Sequence, residues 1–236
     1  MMRLDKMLAH MNYGSRKEVK ELIRKGYVLV NGKIIIDDDY KIDEINDEII
    51  IANETVNYKD KVYIMLNKPD GYISSCFDKI YPTVIDLISE YNYMNIFPVG
   101  RLDKDTHGLL LITNDGELAH NLLSPKKHVE KKYYLKYEGI ITFESIKKFE
   151  EGIEIDDYKT LPAKLINLGC NEAYVIIKEG KFHQVKKMME KIGCNVTYLK
   201  RIEFGSLKLD ENLKEGEYRL LTLEELDKLK NIGDID

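Results

Sequence analysis

Residues 108 to 113 read Gly-Leu-Leu-Leu-Ile-Thr, an apolar run with no polar side chain until its last position. Side chains alternate across a strand, so a strand that is apolar at consecutive positions has to be covered on both faces. The run therefore predicts an interior strand of a sheet layered with helices. Further strands are expected at 62–67, 132–137, 163–168, 173–177 and 196–201, with helices near 143–151 and 183–192. In the last of these, Val185, Met188, Met189 and Ile192 share one side and Gly193 supplies the stop. Many strands punctuated by few helices imply an α+β domain with a mostly antiparallel sheet.

The N-terminal quarter has a different pattern. Leu4, Met7, Leu8 and Met11 repeat at helical spacing, and Ser15-Arg16-Lys17-Glu18 is a capping box that can open a second helix burying Val19, Leu22 and Ile23. Gly26 suits the end of that helix. Asn31-Gly32, between 27–30 and 33–36, is the dipeptide best fitted to a type I′ hairpin turn. The expected unit is helix, helix, hairpin, and the polar stretch 53–60, without either periodicity, is expected to be a linker.

Charge separates the same segments. The whole chain carries 36 Lys and Arg against 41 Asp and Glu, a net −5, which excludes coating nucleic acid by bulk charge. Residues 1–33 alone hold Arg3, Lys6, Arg16, Lys17, Lys20, Arg24, Lys25 and Lys33 against Asp5, Glu18 and Glu21, a local +5, and residues 37–60 reverse the sign. Arg16, Lys20 and Arg24 recur every fourth residue, so with Lys17 they form one helical stripe. Such a stripe is an ordinary solvated face or, on a compact basic unit, an RNA-binding one. Three cysteines (Cys76, Cys170, Cys194), with no CxxC pair, give neither a disulfide framework nor a zinc site and are read as reduced. No run of 18 apolar residues exists and Met-Met-Arg-Leu-Asp-Lys opens the chain without an apolar core, so a cytoplasmic protein with no membrane partner is expected.

Chemistry concentrates at 98–116, where a polar loop precedes the apolar strand. Asp103, flanked by Arg101 and Lys104, would stay ionised there and could serve as nucleophile or base. Physical reasoning alone does not choose it over Asp105 or Asp115, and a turn residue or helix cap is the plainer reading.

Motifs make the choice. Arg3-Leu4-Asp5-Lys6, Ser15-Arg16 and Val28-Leu29-Val30-Asn31-Gly32 resemble the S4 RNA-binding domain over roughly residues 2–50. Gly100-Arg101-Leu102-Asp103, then Thr106, Gly108 to Leu111, and Thr113-Asn114-Asp115-Gly116, resemble the signature of the RsuA and RluA types of pseudouridine synthase. Leu66-Asn67-Lys68-Pro69-Asp70-Gly71, Glu130-Lys131-Lys132-Tyr133 and Gly180-Lys181-Phe182-His183-Gln184-Val185-Lys186-Lys187-Met188 resemble the same family's other elements. Lys181 and Lys187 stand where arginines are common, which weakens bidentate phosphate contacts.

The resemblance implies an RsuA-type isomerase: a small αα-β-hairpin S4 domain with linker at 1–60 and a mostly antiparallel catalytic domain at 61–236. It implies conversion of uridine to pseudouridine in small-subunit ribosomal RNA, with the large-subunit enzymes RluB, RluE and RluF as the nearest alternative. A non-catalytic S4 RNA-binding protein is the alternative from another class. Asp103 would act at C1′ of the ribose, by stabilising positive charge, by attack, or by taking the neighbouring C2′ proton. Arg101 would fill the space an extruded uridine leaves, Tyr133 would stack on the uracil, and Lys186 would pair with Asp103. His183 is read as packing the helix start. Arg3, Lys6, Arg16, Lys17, Lys20, Arg24, Lys68, Lys131, Lys181 and Lys187 would contact RNA. No cofactor or metal is implied, and the expected state is a monomer acting on ribosomal RNA or a subunit assembly intermediate.

Overall fold

The computed structural model describes residues 1–56 and 58–232. They divide into two compact units, one of 1–62 with 90–95 and the other of 63–89 with 96 onward.

In the first unit, helices Leu4–His10 and Arg16–Arg24 form as their sequence signals require. Ser15 Oγ accepts from the backbone of Glu18, and Glu18 Oε2 accepts from the backbone N–H of Ser15 at 2.7 Å, completing the capping box. Leu4, Met7, Leu8, Val19 and Ile23 turn inward onto Val28, Val30, Ile42, Ile49 and Ile51. Burying each such side chain is worth about 1.5–3 kcal/mol, which is what holds two short helices on a small sheet. Asn31 and Gly32 both take positive φ (51° and 74°), as a type I′ turn demands, and Val28–Val30 pairs with Lys33–Ile34 around them.

The expected linker is corrected. Ala52 and Asn53 also take positive φ (50° and 69°) and fold the chain back, so that Glu54–Thr55 pairs with Ile50 and Ile51. Val56 is buried and Tyr58 packs on the same core, while Asn57 lies outside the described residues. A two-residue polar strand has too few alternations to register as a hydropathy pattern.

The second unit is built on a nine-stranded sheet, counted among the described residues, whose main path runs Lys164–Gly169, Glu172–Ile177, Lys131–Glu138, Asn195–Phe204, His107–Thr113, Tyr63–Lys68 and Tyr218–Leu220. All neighbours are antiparallel except at the centre, where Lys200 and Arg201 lie parallel to His107 and Gly108. Leu109 to Ile112 are fully buried, as the consecutive apolar run requires. Leu109 and Leu111 pack with Met65 against Leu118, Ala119 and Leu122 of helix Gly116–Leu123, which Asp115 caps by accepting from Leu118 N–H. Helix Gln184–Lys191 buries Val185, Met188 and Met189 and contacts the Asn195–Phe204 strand. Sequence periodicity missed the 3-10 stretch Asp86–Met94 and the small hairpin Glu154–Ile155 with Tyr158–Lys159, both lacking enough repeats to be seen. Among the described residues, no helix is long and apolar enough to cross a membrane.

The parallel joint depends on Gly108. Its φ is +100°, and a Cβ there would sit 2.2 Å from the carbonyl oxygen of Arg201. Gly108→Ala is therefore expected to lower stability by about 2–4 kcal/mol, combining a forbidden backbone angle with a steric clash. Urea unfolding of the two proteins checks it, and an unchanged midpoint would show that the joint can relax.

Candidate active site

The strand Tyr63–Lys68 ends in a lysine whose side chain is wholly buried. Lys68 Nζ donates to the carbonyl oxygens of Pro69, Lys104 and Thr106, each at 2.9 Å. Burial pushes its pKa down to about 8, with the more distant carboxylates of Asp70, Asp105 and Asp103 acting in the opposite sense. The expected RNA contact by Lys68 is thereby corrected: its ammonium has all three donors engaged and no route to a phosphate. Instead it ties down both sides of the loop between Leu102 and His107. Ser74 Oγ adds a second tie, donating to the Leu102 carbonyl at 2.9 Å and accepting from the Leu102 N–H at 3.0 Å.

The pinned loop presents Asp103 to the N-terminal turn of helix Gln184–Lys191. Its Oδ2 lies 3.6 Å from His183 Nε2 and 3.7 Å from Lys186 Nζ, and the side chain is 28% exposed. Lys186 Nζ also binds Asp105 Oδ1 at 2.6 Å. The expected Lys186–Asp103 pair is thus present but shared, and the shorter contact goes to Asp105. Thr106 N–H donates back to the Asp103 carbonyl at 3.0 Å, closing a turn that brings both carboxylates toward one ammonium. Burial raises the Asp105 pKa, but the hydrogen bond and charge of Lys186 outweigh it and leave that carboxyl below the ordinary range. His183 precedes the helix in a left-handed conformation (φ 52°) and its side chain caps nothing, so its imidazole is turned to Asp103 rather than packing the helix start as expected. Its ring stacks on Phe182 at 3.8 Å.

Asp103 opens onto a cavity of about 480 Å³. Arg101, exposed, and Tyr133, buried, both line it, together with Lys131, Lys181, Lys186 and Arg201. The structure therefore collects all four residues read from the motifs, Arg101, Asp103, Tyr133 and Lys186, around one space. Sequence reasoning missed Arg201. Its signal was positional: it shares parity with the buried Leu199 on a central strand, where an inward arginine is unusual.

The other expected RNA contacts divide. Lys181 stands 5.7 Å over the Tyr158 ring, and Lys187 pairs with Asp156. In the first unit Arg3 pairs with Asp5 at 2.8 Å and with Asp39, Lys20 reaches Asp5 and Asp38 at 3.7 Å, and Arg24 binds Asp38 at 2.6 Å. The acidic return at 37–39 thus neutralises half of the basic stripe, while Lys6, Arg16 and Lys17 remain exposed.

Comparison with known proteins bears on this geometry. Residues 62–191 match the family described as RNA pseudouridylate synthase, and residues 2–49 match the S4 domain. An RNA pseudouridine synthase of Bacillus subtilis, YtzG, is 47% identical over 95% of this chain and 97% of its own length. The ribosomal large subunit pseudouridine synthase B of Bacillus subtilis is 39% identical over 99% and 98% of the two chains. The ribosomal small subunit pseudouridine synthase A of Escherichia coli is 36% identical over 95% and 98%. A crystal structure of a pseudouridylate synthase superposes with a TM-score of 0.68 at 37% identity, covering 97% of this chain and all of that one. Likeness of this extent, across both units and with the motif residues gathered on one cavity, makes the chain a member of the RNA pseudouridine synthase family, in its S4-bearing RsuA and RluB branch.

Proposed function

We propose that the chain isomerises one uridine of ribosomal RNA to pseudouridine, in the small subunit, with the region 1–60 holding RNA and 61–236 carrying out the reaction as a cytoplasmic monomer. The observation that carries this is Asp103: a half-buried carboxylate on a pinned loop, facing a cavity lined by an aromatic ring and cations. The 39% identity with a large-subunit enzyme over nearly the whole chain favours a second reading, a large-subunit target.

The reaction explains why the site needs these groups. The N1–C1′ bond breaks with its electron pair leaving on the uracil, and C1′ is satisfied by positive charge facing Asp103, by a bond to Asp103, or by loss of the C2′ proton to Asp103. The base then turns, C5 bonds C1′, and a proton leaves C5 while N1 gains one; in the route through loss of the C2′ proton, Asp103 returns that proton to C2′ as C5 bonds C1′, with no net redox change in any of the three. Reaching C1′ from beneath requires the nucleotide to leave its helix, and Arg101 at the cavity mouth fills the vacated stack. Tyr133 offers a ring face to the extruded base, an interaction worth about 1–3 kcal/mol. Lys186 sets one ammonium between two carboxylates, and its longer contact, 3.7 Å against 2.6 Å, goes to Asp103.

Four experiments have definite expected outcomes. Asp103→Asn should abolish pseudouridine formation in rRNA transcripts while RNA affinity stays within about threefold, since the amide keeps shape and loses the reactive oxygen anion. Mapping pseudouridines in both rRNAs from cells with and without the gene identifies the subunit, and an unchanged map would support the non-catalytic S4 alternative. Lys186→Met should cut the single-turnover rate at least ~10-fold, because it leaves two neighbouring carboxylates without their shared counter-charge. Asp105→Asn should keep most of the activity, Lys186 then serving Asp103 alone. Equal losses in the two variants would remove this division of roles. In the first unit, Arg16 and Lys17 reversed to Glu should flatten the salt dependence of RNA binding more than the same change at Lys20 and Arg24, whose charges are already met by Asp38. Titrations at several salt concentrations decide it, and equal slopes would show that the internal ion pairs open on RNA.

A further inference from the structure

Beneath Tyr133 the cavity has a feature that none of the roles above uses. Lys131 and Tyr133 are two residues apart on one strand and so share a face, and Tyr133 lies directly opposite Arg201 on the neighbouring strand. Arg201 is only 2% exposed. Its Nε donates to the Leu109 carbonyl at 2.8 Å, while Nη2 has no hydrogen-bond partner among the described residues. Lys131 Nζ donates to the Val129 carbonyl at 2.8 Å. The two cations flank one ring: Lys131 Nζ is 5.5 Å and Arg201 Cζ 4.9 Å from the Phe204 centroid. Among the described residues no carboxylate forms an ion pair with either. Burial pushes the Lys131 pKa down to about 8, the charge of Arg201 pushes the same way, and Glu179 opposes from a distance.

Two like charges flanking one ring, one buried and the other half-buried, with no carboxylate paired to either among the described residues, are unfavourable in the free protein. A site retains such an arrangement when negative charge arrives from outside, and the established family reaction generates it: uracil leaves C1′ with the electron pair of the N1–C1′ bond. We propose that Lys131 and Arg201 form a cationic floor that takes up the negative charge developing on the target uracil, Lys131 by direct contact with a base oxygen and Arg201 as a positioning residue opposite Tyr133 that adds to the field. Depth favours the base over a phosphate as the source of the charge. Tyr133 and Arg201 are buried at the cavity's inner end, whereas backbone phosphates would run past its exposed residues, Arg101 and Lys181. A fixed positive environment aimed at charge that exists only after bond cleavage lowers the barrier without tightening substrate binding. This inference rests on the reading of Asp103 as the group acting at C1′.

The test uses full-length protein and rRNA transcripts labelled with tritium at uracil C5, whose release reports formation of the C5–C1′ bond. Lys131→Met should lower the single-turnover rate about 100-fold at saturating RNA, the usual scale for losing one preorganised donor, while the RNA dissociation constant changes less than about threefold. Lys131→Arg, which keeps the charge, should recover most of that rate, and Lys131→Gln, which keeps a donor for Val129, should not. Thermal melting of Lys131→Met should show a midpoint equal to or above wild type, since removing a repelled ammonium relieves the free protein; a structural role would lower it. Weakened binding with a flatter salt dependence and an unchanged saturated rate would assign Lys131 to a phosphate and overturn the proposal. So would an active wild type matched by an equally active Lys131→Met. A wild type that releases no tritium from any rRNA fragment would overturn the isomerase reading and this assignment with it.

Discussion

Three carbonyl oxygens converge on the ammonium of Lys68, and the geometry of the site follows from that convergence. Loops between strands are ordinarily the most variable parts of a fold, because their backbone groups turn to water. Here two carbonyls of the loop, those of Lys104 and Thr106, are satisfied from inside by one lysine at the end of a neighbouring strand. The residue between Leu102 and Lys104 has little freedom left, and it is Asp103. A neutral side chain could not offer three donors from one atom, and an arginine fork would not fit three acceptors gathered at one point.

On this frame the charges are arranged by distance. Lys186 gives its short contact to Asp105 and its long one to Asp103, so the carboxylate that holds the lysine in place is not the one expected to react. Deeper in the cavity the balance reverses, with Lys131 and Arg201 carrying positive charge and, among the described residues, no carboxylate paired with either. The cavity thus runs from an anionic side at the loop to a cationic floor. A nucleoside splitting into a sugar cation and a base anion has the same polarity.

How far the sequence disclosed this depended on range. The Ser15–Glu18 capping box, the Asn31-Gly32 turn and the buried 107–113 strand were legible because each is fixed by residues within a few positions of one another. Asp103 is legible only through its long motif, because Asp105 and Asp115 are equally eligible by charge and placement along the chain. Lys68 was misread because a lysine in a turn motif looks solvated, and nothing local shows that three carbonyls from two segments will enclose it. The basic stripe is visible in the fourfold spacing of Arg16, Lys20 and Arg24, but Asp38, far along the chain from Lys20, determines how much of its charge is available. The hairpin at 49–55 escaped notice for lack of length, its turn being set by backbone angles at Ala52 and Asn53 that composition does not announce.

The parallel joint of the sheet, Lys200 and Arg201 beside His107 and Gly108, has a consequence for how the protein comes into being. The loop bearing Asp103 and the strand bearing Arg201 are separated by most of the catalytic unit in sequence, and contacts of such long range form late and slowly. During synthesis the N-terminal helices and hairpin, closed by local contacts, can be complete while the strand that supplies the cavity floor has not yet been made. A nascent chain would therefore acquire its first compact unit well before any assembled catalytic cavity.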